Sequence, residues 1–259
     1  MSILAKIGSR LAQHLARAHD DDIHIATSRP ELLLAALQKG DILLVEGSSR
    51  FSVAIKYLTQ SSWSHAALFI GDAPTLLPSD ERAHVLVEAD INAGVRAVPL
   101  SMFAERHTRI CRPVGLSKHE IDKVVAYVVA RIGHKYDLKN IIDLARYLLP
   151  TPPIPNRWRR RLISLGSGDP TRAICSSLIA EAFQSVNYPI LPDIAIEQSK
   201  DPGCIGCYEE ILRIRHSSLF APRDFDVSPY FQIVKPAIEH GFDPHLLKWN
   251  NVELATLPD

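Results

Sequence analysis

The chain has 259 residues, 46% of them hydrophobic and 22% charged, with 29 basic and 29 acidic side chains. That length is enough to bury a full core in one elaborated domain, and the even charge balance argues against a nucleic-acid partner. Four scattered cysteines, Cys111, Cys175, Cys204 and Cys207, make no disulfide framework in a chain this long, so free thiols are expected.

Residues Met1 to Asp22 lack the continuous apolar core and small-residue cleavage site of a Sec signal peptide. No later apolar run, such as Val124 to Ala130, approaches membrane-spanning length. The expected location is therefore cytoplasmic or peripheral membrane, with export by another route left open. Ile3, Ile7, Leu11 and Leu15 recur every four residues, with Lys6, Arg10, His14 and Arg17 between them. This spacing predicts a basic amphipathic helix that either docks on the domain or meets a membrane surface or partner through residues 1–18.

Residues 29–38 read as a short helix ended by Lys39-Gly40. Gly40-Asp41-Ile42-Leu43-Leu44-Val45-Glu46-Gly47 reads as a strand between glycines. Phe51 to Leu58 reads as a helix, followed by a polar loop and then Ser64-His65-Ala66-Ala67-Leu68-Phe69-Ile70-Gly71, a buried strand. Three further strands are expected at 84–89, 94–99 and 108–113, which together suggest a mainly antiparallel sheet. Ser117-Lys118-His119-Glu120 is a capping box that opens a helix carrying Ile121, Val124, Val125 and Val128. Another helix is expected over 138–149. It stops at the stiff run Pro150-Thr151-Pro152-Pro153-Ile154-Pro155 and the basic cluster Arg157-Trp158-Arg159-Arg160-Arg161. That cluster is a solvated face or a contact for anionic headgroups. The last third of the chain, with Pro and aromatic residues spread through it, has no clear periodicity.

Two residues stand in frames that thiol chemistry uses. Cys175 opens an amphipathic segment ending at Phe183, so it sees the unpaired N–H groups and positive dipole end of a helix, which favour a thiolate. His65 begins a rigid strand, a suitable mount for a base. Each residue alone also has a structural reading, as a small buried hydrophobe and a core histidine. Cys204-Ile205-Gly206-Cys207 has C-x-x-C spacing but no second pair, so two partly buried thiols are expected rather than a zinc site.

The ordered set Gly-Asp-Ile-Leu-Leu, Ser-His-Ala-Ala-Leu-Phe-Ile-Gly, Val87-Glu88-Ala89, Gly133-His134-Lys135-Tyr136-Asp137 and Cys175-Ser176-Ser177-Leu178 resembles the circularly permuted NlpC-type cysteine peptidases. These permuted papain-like amidases share their architecture with lecithin:retinol acyltransferase-like enzymes. The segment from Pro222 to Phe231 is similar to the end of the permuted bacterial group. The order is base before nucleophile, the reverse of ordinary papain-like enzymes. The resemblance implies an α+β fold, an antiparallel sheet packed against helices. A catalytic domain would span 23–236 with a Pro/Arg-rich insert at 150–170, flanked by the 1–22 helix and a 237–259 tail.

By the same resemblance Cys175 is the nucleophile, His65 the general base, Glu88 the residue that orients the imidazole, and Tyr136 the Gly-x-x-Tyr tyrosine near the nucleophile. Asp90, Asp72 and His84 are fallback orienters. The backbone N–H of Cys175 and of its neighbour would form part of an oxyanion hole. The implied function is a cysteine hydrolase or acyltransferase that cleaves an amide or acyl (thio)ester bond through a Cys175 acyl-enzyme. No cofactor and no metal are implied. The basic helix and Trp/Arg cluster tilt the substrate slightly toward lipid or acyl compounds over peptides. The alternatives are a peptidoglycan-type amidase and a non-catalytic papain-like module that binds a lipid or peptide.

Overall fold

The computed structural model describes residues 26, 28–71, 85–90, 93–103, 105–135, 174–198 and 208–247. The expected helices at 1–22 and 138–149, the 150–170 insert, the Cys204/Cys207 pair and the end of the tail lie outside the described residues.

Eight strands and six α-helices are seen among the described residues. In chain order these are α1 (Pro30–Ala36), β1 (Ile42–Val45), α2 (Arg50–Thr59), β2 (His65–Gly71), β3 (Val85–Asp90), β4 (Gly94–Pro99), β5 (Thr108–Pro113), α3 (Lys118–Val129), α4 (Ile174–Gln184), β6 (Asp193–Gln198), β7 (Tyr208–Arg213), α5 (Pro222–Val227), β8 (Phe231–Val234) and α6 (Pro236–Glu239). Six strands form one sheet in the order β4-β3-β2-β1-β5-β8, and every neighbouring pair is antiparallel. Strands β6 and β7 form a separate two-stranded ribbon. The fold is α+β, an antiparallel sheet packed against helices, as the resemblance leads one to expect.

Both faces of the large sheet are covered. Ile42, Leu44, Leu68, Val85, Val87 and Cys111 pack with α3 and α4 in one core. The alternate residues Leu43, Val45, Phe69, Leu86 and Ile110 pack with α1 and the turn at Leu100–Phe103 in a second. A strand buried on both sides needs apolar side chains at every position, so β1 and β2 read as unbroken apolar runs rather than alternating ones.

Local sequence accounts for the element ends. Ser117 accepts from the Glu120 N–H while Glu120 Oε2 accepts from the Ser117 N–H, which completes the expected capping box of α3. Asp41, almost fully buried, takes Nε and NH2 of Arg112 at 2.9 and 2.8 Å and the Gln38 N–H at 2.8 Å. This pair ties the end of α1 to β5.

Gly94 opens β4 with φ +78°, and a Cβ built there would lie 2.3 Å from the His134 carbonyl oxygen. That contact exists because Val95 donates to His134 O and accepts from the Gly133 N–H. The Gly-x-x-Tyr element is thereby anchored on the strand that flanks Glu88. Gly94→Ala combines a left-handed conformation with a backbone clash, so it is expected to cost about 1–3 kcal/mol. Urea unfolding checks this, and an unchanged midpoint would show that the strand start tolerates a side chain.

Candidate active site

The sheet register builds most of the site. Glu88 lies opposite Ala67 on one side and Arg96 on the other. His65 is two residues before Ala67, which makes it the diagonal neighbour of Glu88 across the β2–β3 ladder. His65 Nε2 meets Glu88 Oε2 at 2.6 Å. The other carboxylate oxygen, Oε1, takes Arg96 Nε at 2.8 Å and NH2 at 2.7 Å. Glu88 is only 4% exposed, so it is not the solvent-facing residue that strand alternation also allowed.

The His65 ring also hydrogen-bonds the Cys175 thiol. With Nε2 committed to Glu88, Nδ1 is the nitrogen left for sulfur. Cys175 is the second residue of α4 and 5% exposed. Its sulfur accepts the Ala66 backbone N–H and lies 3.9 Å from the Ser176 hydroxyl. The β2–β3 pairing ends at Ala67 and Glu88, so the ladder does not extend to Ala66 and its N–H turns to the thiol.

His65 belongs to the face that carries Ala67 and Phe69, with its ring centroid 6.1 Å from that of Phe103. Cys175 belongs to the core on the opposite face. The two meet at the rim where β2 begins.

Burial alone would protonate the thiol and discharge the imidazole. The mutual attraction of the pair outweighs it. For His65, burial lowers the value, but the Cys175 thiolate and the Glu88 carboxylate together push it up to about 10. For Cys175, burial raises the value, yet charged His65, the Ala66 N–H and Ser176 bring it below the ordinary thiol range. Glu88 likewise resists its burial, because His65 and Arg96 hold its carboxyl below the usual carboxylate range. The pair is therefore biased toward thiolate and imidazolium, with Glu88 biased toward its ionised form.

Of the residues predicted from sequence, the structure brings Cys175, His65 and Glu88 together. Tyr136, Asp72 and His84 lie outside the described residues. Asp90 sits at the end of β3, 4.0 Å from Arg96, and is not the partner of His65 Nε2.

Sequence reasoning missed three residues. Arg96 grips Glu88. Asp226 accepts the Trp63 indole N–H at 2.9 Å and takes Arg109 NH1 at 2.6 Å, while Arg109 lies over the Trp63 ring at 4.9 Å. These contacts lock the loop that enters β2, as does the Gly47 N–H donated to Ser64 Oγ at 2.9 Å. The only available signal was that Asp226 falls inside the Pro222-to-Phe231 segment singled out by resemblance.

Comparison with known proteins gives one family match and two relatives. Residues 36–147 match the family described as "Permuted papain-like amidase enzyme, YaeF/YiiX, C92 family". This span holds His65 and Glu88 and stops before Cys175. A curated relative, the probable lipoprotein peptidase YaeF of Escherichia coli strain K12, is 22% identical over 176 residues, or 62% of this chain. The chain spans 60% of that relative's length. A crystal structure of the metalloprotein yiiX from Escherichia coli O157:H7 is 16% identical with a TM-score of 0.45, covering 77% of this chain and 97% of that one. Among the described residues here, no group of three or more His, Cys, Asp or Glu is arranged to hold a metal. The family resemblance read from the sequence therefore holds, and the family's class is that of amidases.

The ion pair makes its own prediction. Thiolate is present above the depressed Cys175 value, and the imidazolium is lost as pH rises through about 10. Iodoacetamide labelling of Cys175, followed by peptide mass mapping against pH, should start to rise below the ordinary thiol value of 9.0. In His65→Ala the rise should move up, because the burial that raises the thiol is no longer offset by the imidazolium. Identical profiles in the two proteins would show that the residues are not coupled.

Proposed function

We propose that this chain, a relative of the permuted papain-like amidases over residues 36–147, is a cysteine hydrolase that opens an amide bond through an acyl-enzyme on Cys175. The observation that carries this reading is the Cys175–His65–Glu88 line, in which buried Cys175 and Glu88 flank a half-buried His65, with its thiol depressed and its imidazole raised. A thiolate already formed at rest needs no base for the first attack, so His65 begins the cycle as an acid.

The Cys175 sulfur pair forms the C–S bond to the carbonyl carbon while the carbonyl π pair moves to oxygen. The N–H groups of Cys175 and Ser176, in the first turn of α4, would be the donors for that oxyanion. Collapse expels the amine, which takes its proton from His65. Neutral His65 then deprotonates a water, hydroxide adds to the acyl carbon, and the sulfur leaves as thiolate. Glu88 stays ionised throughout and stabilises the imidazolium whenever it forms.

The amide bond takes precedence over a lipid ester because the matched family is one of amidases. A curated relative is named a probable lipoprotein peptidase, and the basic N-terminal pattern and the Trp/Arg cluster of this chain suit a lipid surface. A lipid-bearing peptide is accordingly the substrate class we favour. Peripheral membrane contact through residues 1–18 and Arg157–Arg161 would bring the site to such a substrate.

The test is a panel of an acylated peptide, the same peptide without its acyl chain, a muropeptide and a phospholipid, read by mass spectrometry. Peptide cleavage with transient acylation of Cys175 is expected. Cys175→Ala should abolish it, and His65→Ala should lower kcat by about 10²–10⁴-fold. Release of fatty acid alone would replace the amidase reading with lipid acyl hydrolysis. Full activity in Cys175→Ala would leave a binding module.

A further inference from the structure

We propose that Arg96 is a positioning residue of this site: by clamping one oxygen of Glu88 it keeps that carboxylate ionised and turned toward His65, and through it keeps Cys175 a thiolate. This rests on reading Cys175 and His65 as nucleophile and base.

The geometry is specific. Both Nε and NH2 of Arg96 reach the same oxygen, Oε1, at 2.8 and 2.7 Å, leaving Oε2 wholly to His65. A guanidinium can present two parallel donors to one carboxylate oxygen, whereas an ammonium acts as a single point of charge. The register places Arg96 directly opposite Glu88, so the clamp comes from strand pairing and not from a mobile loop. Arg96 is 40% exposed and keeps one flank in water, while Glu88 is almost completely removed from it.

Charge alternates along the line Arg96, Glu88, His65, Cys175 and sums to zero. Without Arg96 the buried remainder carries one net negative charge, which opposes a second anion at sulfur. Other ionisable groups around Arg96 do not substitute for it. Asp90 lies at 4.0 Å and has the same sign as Glu88. His134 and Lys135 belong to the segment paired with Val95, on the far side of β4's first residues.

The solvent-exposed, purely structural role of a strand arginine predicts a change in stability and none in titration. The two are separated by the pH profile of Cys175 alkylation in wild type, Arg96→Gln, Arg96→Lys, Glu88→Gln and the Glu88→Gln/Arg96→Gln double variant, with circular dichroism confirming the fold of each. In Arg96→Gln the acid limb, which reports protonation of Cys175 beside charged His65, should move up by about 1 pH unit or more. Arg96→Lys should recover part of that shift, and in the Glu88→Gln background the arginine change should add little.

An acid limb unmoved in folded Arg96→Gln overturns the proposal. So does a shift of undiminished size in the Glu88→Gln background, which would mean that Arg96 acts on the thiol without Glu88. Should Arg96→Gln fail to fold, Arg96→Lys carries the test, and its coincidence with wild type rejects the clamp. A His65→Ala profile identical to wild type sinks the nucleophile–base reading itself. A normal His65→Ala response with an unmoved arginine variant removes Arg96 alone.

Discussion

A carboxylate held in the interior of a sheet must find partners for both of its oxygens, or the cost of removing it from water is several kcal/mol. Glu88 meets this requirement with a histidine on one oxygen and an arginine on the other, and the rest of the site follows. An imidazole has two ring nitrogens. Once Nε2 is committed to Glu88, ring orientation is set and Nδ1 is presented to the thiol. The carboxylate therefore selects the proton arrangement of the base as well as its charge. None of this needs a dedicated loop, because Ala67, Glu88 and Arg96 are opposite one another by the pairing of three consecutive strands in the sheet.

The frame that holds His65 extends well beyond its own strand. Ser64, one residue earlier, bonds the Val45 carbonyl through its N–H and receives the Gly47 N–H on its hydroxyl. Trp63 is buried with its indole N–H on Asp226, which belongs to α5 near the far end of the chain. Arg109 of β5 closes this group by binding Asp226 and lying over the indole. The base is thus gripped by strands on both sides of β2 and by the segment that leads into β8. Charge-assisted hydrogen bonds of this kind restrict rotamers at both ends, which is what a base of fixed orientation requires.

Much of this was legible in the chain because its first half is locally consistent. Glycines bound β1, Gly71 ends β2, the Ser117/Glu120 box opens α3, and Cys175 leads an amphipathic helix, so each element announces itself within ten residues. The nucleophile, the base and Glu88 followed from that frame and from the family resemblance. What could not be read depends on pairing between distant segments. Arg96 sits in Gly-Val-Arg-Ala-Val-Pro, where an arginine reads as the wet side of a strand. Only the register shows it opposite a buried glutamate. Ribbon strand β6 does alternate, but Ile194 and Ile196 are exposed, so the pattern that marks a half-buried strand does not point to a core there. Strand β8 is four residues long and finds its place only by pairing with β5.

The rim position of the site explains why chain order is free to be reversed. His65 and Cys175 arise from opposite faces of the sheet, and they can meet only at a strand end, where neither must pass through the ladder. The first residue of β2 and the first turn of α4 satisfy that condition whichever comes first in sequence, since the Coulomb and hydrogen-bond terms depend on position alone. The same rim supplies the last donor. Because β3 stops pairing with β2 at Ala67, the Ala66 N–H has no ladder acceptor there and would be a costly orphan in the interior. The Cys175 sulfur takes it. One break in the ladder therefore does two things: it opens the gap through which base and nucleophile approach, and it gives the thiolate a fixed backbone donor in place of water.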